Sequence, residues 1–294
     1  MTWLRVFEEL GSEVLHRHEL LAAGATGRGL TSAVKGAHLL RVRRDHYALP
    51  GTSTNLLEAV RVGGRLDCVS ALHEFGVFAF NYSNTHIRMH RAASRLRSPV
   101  NGRVRLSREN RHGARLHWLP LIGEATETSV SLVDALAQAT RCQHPWHAVA
   151  SLDNALFQQL IDPDDVSTLF ASLSCRFQPL RLLLDGRAES GVESVLRLIL
   201  KEAGLNCELQ VVVEGVGRVD MIVEGCLVVE ADSRLAHDGW EAHVRDRGRD
   251  LELARRGFVS IRPTYQHIMF SPVEVRDAVF RLLDANRNFR STII

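Results

Sequence analysis

Two short apolar runs between Gly217 and Asp232, each joined directly to a carboxylate, leave few ways to fold this part of the chain. Asp220 opens the first run, Met221-Ile222-Val223. Glu224-Gly225 reads as a turn, and Cys226 to Val229 then leads into Glu230-Ala231-Asp232. The spacing predicts a β-hairpin. Side chains alternate faces along a strand, so Glu230 and Asp232 project to one side and Val229 and Ala231 to the other. If Asp220 stands beside them on the paired strand, three hard oxygen donors meet, the ligand chemistry of Mg²⁺ or Mn²⁺. The competing reading is a solvated strand end with ordinary surface acids. The apolar residues leading into Asp220 and Glu230 argue against simple exposure.

Helical patterns flank the hairpin. Val192, Val195, Leu196, Ile199 and Leu200 recur at helix spacing, with Glu193 in the first turn. A carboxylate there suits the helix dipole, so capping is an alternative to a place in the site. Trp240 to Arg256 forms a second helical stretch, stopped by Gly257. Asp246, Arg249 and Asp250 share one of its faces by their three- and four-residue spacing. An ordinary solvated ion-pair surface would look the same. A last strand, Phe258 to Arg262, precedes Pro263.

This order of helix with Glu, strand, strand with Asp, strand with Glu-x-Asp, His, helix with Asp-Arg-x-x-Arg-Asp, and strand ending in Arg resembles an endonuclease-like family. That family is related to very-short-patch-repair endonucleases, within the PD-(D/E)xK restriction-endonuclease-like superfamily. The resemblance covers about residues 185 to 284, carried by Glu193, Gln210, Arg218, Asp220, Glu230, Asp232, His237, Asp246, Arg249, Asp250 and Arg262. It implies phosphodiester hydrolysis with Mg²⁺ or Mn²⁺ held by Asp220, Glu230 and Glu193. The chain departs from the superfamily in having Asp232 where a Lys is usual. It departs from the nearer branch in having Ser233 where Gly is most frequent. With the Lys absent, Asp232 could orient the attacking water. His237 could protonate the leaving oxygen or be a surface histidine. Gln210, Arg218, Asp246, Arg249 and Arg262 would form a supporting network, the arginines gripping either the acids or a phosphate.

The other end of the chain points to nucleic acid. The net charge is only +2, but residues 1–118 hold 18 Lys plus Arg against 9 Asp plus Glu. Basic surfaces recruit phosphate backbones. Only Lys35 and Lys201 are lysines, a bias that genome composition explains equally well. Glu13 to Ala23 reads as a helix, Gly24 as a break, and Gly29 to Lys35 as a second helix capped by Thr26 or Thr31. Leu39 to Leu49 reads as a hairpin turning at Arg44-Asp45. The layout is that of a winged helix-turn-helix and resembles the N-terminal domain of AbiE-type antitoxins over about 40 residues. That resemblance implies Arg28, Thr31, Ser32 and Lys35 on a recognition helix, with Arg41, Arg43 and Arg44 on the wing. Winged helices also mediate protein contacts.

Between these ends, Leu56–Gly63, Val69–Phe75, Val130–Thr140 and Ala148–Gln159 look helical, and Asp162-Pro163 starts a further helix. Strands over 86–90 and 115–118 bracket an Arg-rich loop, Arg91 to Arg111, which reads as a DNA contact or a solvated connection. The histidine pairs 86 with 90 and 112 with 117 suggest a metal, but the strand setting and the lack of supporting partners for the rings argue against it. Five cysteines, at 68, 142, 175, 207 and 226, form no Cys-x-x-Cys pair, so neither structural zinc nor a disulfide framework is expected. No apolar run reaches membrane-span length and the first residues are charged, so a cytoplasmic protein without signal or anchor is expected.

The expected fold class is therefore α/β: a winged helix at 1–52, a mixed α/β and helical middle at 53–184, and a restriction-endonuclease-like mixed sheet flanked by helices at 185–294. The expected activity is metal-dependent DNA endonuclease or nickase. The rival is a DNA-binding repressor or type IV antitoxin that keeps the nuclease fold without cleaving. Both readings take DNA as partner. A toxin, a repair protein or a second copy of the chain is compatible with either.

Overall fold

The chain is α/β, and the computed structural model describes residues 2–80, 83–232 and 240–293. It divides into two compact units, Met1–Cys142 and Gln143–Ile294. The boundary falls inside the stretch 53–184 that the sequence suggests as one middle region. Among the described residues no helix is long and apolar enough to cross a membrane.

The first unit opens with α1 (Trp3–Leu10), β1 (Val14–His16), α2 (Arg17–Ala22), α3 (Gly27–Lys35), β2 (Leu40–Arg43) and β3 (His46–Ala48). The predicted helix from Glu13 is thus corrected: its first residues form a strand. Val14, Leu15 and His16 pair with Ala48, Tyr47 and His46, closing an antiparallel sheet of order β1-β3-β2. Two β-rich, apolar residues followed by a capping residue favour that division. His16 accepts the His18 N–H, Glu19 accepts the His16 N–H, and the helix starts only after this box. Thr26, rather than Thr31, caps α3, accepting the Gly29 N–H at 3.0 Å. Val6, Phe7, Leu15, Leu20, Leu30, Ala33, Leu39 and Tyr47 make one core from all these elements except β2. Burying each large side chain contributes about 1.5–3 kcal/mol.

The unit continues with α4 (Thr54–Val62), β4 (Arg65–Leu66), α5 (Cys68–Glu74), β5 (His86–Arg88), β6 (Arg115–His117) and α6 (Leu132–Cys142). The sheet order is β4-β5-β6, with β5 and β6 parallel. The Arg-rich stretch between β5 and β6 folds back on itself: Leu106 N–H donates to Leu96 at 3.0 Å and Ser98 N–H to Val104 at 2.9 Å.

The second unit holds α7 (Pro145–Phe157), α8 (Pro163–Ser172), a 3-10 helix (Cys175–Leu183), α9 (Gly191–Glu202), β7 (Cys207–Val213), β8 (Gly217–Val223), β9 (Leu227–Val229), α10 (Trp240–Arg255), β10 (Val259–Ile261), α11 (Tyr265–Phe270) and α12 (Pro272–Ile293). β7, β8 and β9 form an antiparallel meander, and β10 joins parallel to β9, giving the order β10-β9-β8-β7. The apolar runs on either side of Glu224-Gly225 become β8 and β9, the hairpin that two such runs around a turn predict. Ile222 and Val228, partners across that hairpin, pack with Val219 and with Leu253 of α10. α7 and α9 are locked by a buried ion pair, Asp153 to Arg197 at 2.7 Å, with Ser194 donating to the same carboxylate oxygen at 2.8 Å.

Candidate active site

Met221 pairs with Val229, so the antiparallel register carries Asp220 opposite Glu230 at the end of the β8–β9 ladder. Asp220 Oδ2 accepts the Ala231 N–H at 2.9 Å, which ties it to the strand bearing Glu230 and Asp232. Glu230 is anchored in turn, its N–H donating to Ile261 of β10 at 3.1 Å.

Glu193 reaches the pair through Gln210. Ser190 caps α9 by accepting the Glu193 N–H at 3.2 Å, which sets that residue in the first turn, 7% exposed. Its Oε2 accepts from Gln210 Nε2 at 2.9 Å and from the Glu189 N–H at 3.0 Å. Glu193 therefore accepts a backbone N–H at the helix start and, held by Gln210, stands close enough to Asp220 to feel its charge. Gln210 lies opposite Asp220 on β7, between the pairs Leu209–Met221 and Val211–Val219. Its φ of 53° is rare for a residue with a side chain and interrupts the regular ladder at that point. Burial, then the Asp220 charge, pushes the Glu193 carboxyl above its usual range. Burial also raises Asp220, with the Glu230 charge adding to it and the Ala231 N–H opposing.

The arginines grip the acids. Arg249 Nη2 donates to Glu230 Oε1 at 3.0 Å and to the Arg218 carbonyl at 2.9 Å. Arg262 Nη2 lies 2.9 Å from Glu230 Oε2 and 2.8 Å from Asp250 Oδ1, while Arg247 holds the other Asp250 oxygen at 3.0 Å. Arg218 pairs with Glu189. Arg262 Nε is buried with no hydrogen-bond partner. Asp246 is half-buried on the α10 face that carries Arg249 and Asp250. Asp232 is exposed, its backbone bridged to Thr264 just beyond Glu230. His237 lies outside the described residues.

As a donor set these carboxylates fit a hard divalent cation, since all offer oxygen and two are raised by burial and by a neighbouring acid's charge. The carboxylates are arranged as the pair Asp220 and Glu230 with Glu193 behind them. Among the described residues no three of these carboxylates bring oxygens within 4.8 Å of one another.

In the first unit, Arg28, Thr31, Ser32 and Lys35 all lie on exposed positions of α3, and Arg41 and Arg44 are exposed on the β2–β3 hairpin. Thr31 spends its hydroxyl on the Gly27 carbonyl at 2.9 Å. Arg43 turns inward. Its Nη2 lies 3.5 Å from the Arg95 carbonyl, and its guanidinium covers Gly63, leaving no room there for a Cβ.

Sequence reasoning missed a second constellation. One member of each histidine pair, His86 and His117, meets Cys68 and Cys142, with all four ligand atoms within 4.8 Å of one another. Strand pairing across β5 and β6 creates this meeting, which spacing along one strand cannot reveal.

No protein-family model matches the chain, and no curated protein matches it.

Proposed function

We propose that the chain is a DNA-binding, metal-dependent endonuclease or nickase, and the observation that carries this is Asp220 opposed to Glu230 with Glu193 joined to them through Gln210. The α-β-β-β-α-β order of α9 to β10 supports the likeness to the restriction-endonuclease-like superfamily. The α-β-α-α-β-β order of the first fifty residues supports a winged helix that targets duplex DNA with α3 and the hairpin.

Asp220 and Glu230 would hold a Mg²⁺ or Mn²⁺ ion, with Glu193 behind them. Such an ion polarises a phosphoryl oxygen and lowers the pKa of a bound water. Gln210 orients Glu193 by its hydrogen bond. Arg249 and Arg262 fix the Glu230 carboxylate and offset part of its charge. Asp232, exposed just beyond Glu230, would accept a proton from an attacking water.

A second reading, a DNA-binding repressor or antitoxin that does not cleave, is favoured by one observation: both Glu230 oxygens are already engaged by guanidinium groups. Incubating supercoiled, linear and branched DNA with the protein and Mg²⁺ or Mn²⁺ separates the two. Nicks or breaks that disappear in Asp220→Ala support the nuclease. Tight duplex binding without any cut in either metal supports the repressor.

A further inference from the structure

We propose that Cys68, His86, His117 and Cys142 form a zinc site that staples the sheet and helices of the first unit. His86 Nδ1 and His117 Nε2 lie 3.1 Å apart. With Zn–N near 2.0–2.1 Å and Zn–S near 2.3 Å, a tetrahedral ion requires nitrogen–nitrogen edges of about 3.3 Å and sulfur–sulfur edges of about 3.8 Å. Four ligand atoms all within 4.8 Å of one another meet that demand with small side-chain adjustments. Two thiols and two imidazoles are soft to borderline donors, which select zinc over Mg²⁺ or Ca²⁺. Four protein ligands leave no open position, so the role is structural.

Separate elements deliver the four groups. Cys68 begins α5, His86 lies on β5, His117 on the parallel neighbour β6, and Cys142 ends α6. His117 pairs in register with Arg88, two residues from His86, so the two rings are diagonal neighbours on one face. Cys68 has a φ of 56°, a conformation that residues with side chains rarely adopt. Asp67 secures it, accepting the Cys68 N–H at 2.8 Å, while its other oxygen holds the buried Arg88 at 2.7 Å. Gln138, one turn before Cys142, donates to that sulfur at 3.2 Å, leaving its own buried Oε1 unpartnered. Groups that support ligands in this way are what a metal site needs around it. A nucleophilic Cys–His dyad would use one thiol and one ring and leave the second of each without a task. All five cysteines are free thiols.

The site would also brace the Arg-rich stretch. His86 and His117 stand at its two ends, so one ion would tie both strands that launch it. Metal is held by the thiolate and neutral imidazole forms, so its capture competes with protonation and weakens as pH falls.

The test uses the full chain, purified under reducing conditions from zinc-supplemented cells. Elemental analysis should find about one zinc per chain, and replacement by Co²⁺ should produce thiolate-to-cobalt charge transfer with tetrahedral ligand-field bands. Cys68→Ser with Cys142→Ser should lose the zinc. Should that variant fail to fold, His117→Cys serves instead, keeping the zinc and strengthening the charge-transfer band. Asp220→Ala should retain its zinc, which separates this site from the carboxylates. Reduced protein with neither zinc nor cobalt bands, unchanged zinc in the double Ser variant, or isolation with a Cys68–Cys142 disulfide would each overturn the proposal.

Discussion

Gln210 is the residue on which the acidic site turns, because it is the donor that ties Glu193 to the strands bearing Asp220 and Glu230. Under the nuclease reading, Gln210→Ala should lower Mg²⁺-dependent cleavage about 10- to 100-fold, the usual cost of removing a group that orients a ligand. Raising Mg²⁺ should restore part of the loss, and a titration of rate against Mg²⁺ shows whether it does. Asp220 permits a test that does not depend on activity. Its folded pKa is raised, so the folded state holds the proton more tightly than the unfolded chain and loses stability as pH climbs through that window. Asp220→Asn keeps an acceptor for the Ala231 N–H and removes the charge. It should melt at a higher temperature than wild type at pH 7, and the gap should close as pH falls from the raised folded value toward the ordinary carboxylate value. A gap that widens on acidification would show that the Asp220 charge is stabilising. Asp220, Glu230 and Glu193 were legible in the sequence because alternation and helix spacing are local. The partners of Glu230 were legible only in kind: arginines able to grip acid or phosphate were evident, and their choice of the acid is set by how α10 packs back on the sheet and how β10 pairs with β9.

At the scale of elements, α3 separates stability from recognition. Thr26 caps it, and Leu30 and Ala33 bury its inner face, while Arg28, Ser32 and Lys35 stay exposed. Thr26→Ala should cost roughly 1 kcal/mol in denaturant unfolding. Lys35→Ala should leave unfolding unchanged, weaken duplex binding across sequences and reduce the salt slope by about one. If Lys35→Ala binds DNA as wild type does, α3 is not the face that meets the backbone. The strand Val14–His16 escaped the sequence reading because three apolar or aromatic residues before a helix look like its first turn. Only pairing with residues thirty positions away makes them a strand. The same limit hid the Cys/His cluster, whose members lie 18, 31 and 25 residues apart along the chain and meet through β5–β6 pairing and the approach of α6 to α5. If that cluster holds zinc, a strong chelator should speed tryptic cleavage between residues 91 and 111 more than elsewhere. Equal acceleration along the chain would instead signal global unfolding.

Across the whole molecule, charge is divided along the same line as the fold. Residues 1–142 carry 19 Lys plus Arg against 12 Asp plus Glu, and residues 143–294 carry 17 against 22. Counterion release scales with the phosphates a protein neutralises, so the basic unit should supply most of the salt-dependent affinity for DNA. The acidic unit, with a net deficit of five, is repelled by a polyanion except where a cation or an arginine intervenes. Residues 1–142 expressed alone should therefore bind duplex DNA with a salt slope close to that of the full chain, and 143–294 alone should bind far more weakly. Any Mg²⁺-dependent cutting should survive in 143–294 at high protein concentration, because Glu193, Gln210, Asp220 and Glu230 all lie within it. Filter binding or fluorescence anisotropy over a range of salt gives the slopes, and a plasmid nicking assay gives the activity. Were the slope to follow 143–294 instead, the arginines of that unit would be phosphate contacts that exchange partners when DNA arrives. Arg249 and Arg262 would then be released from Glu230 on binding, and the site's carboxylates would be freed for a cation only in the complex.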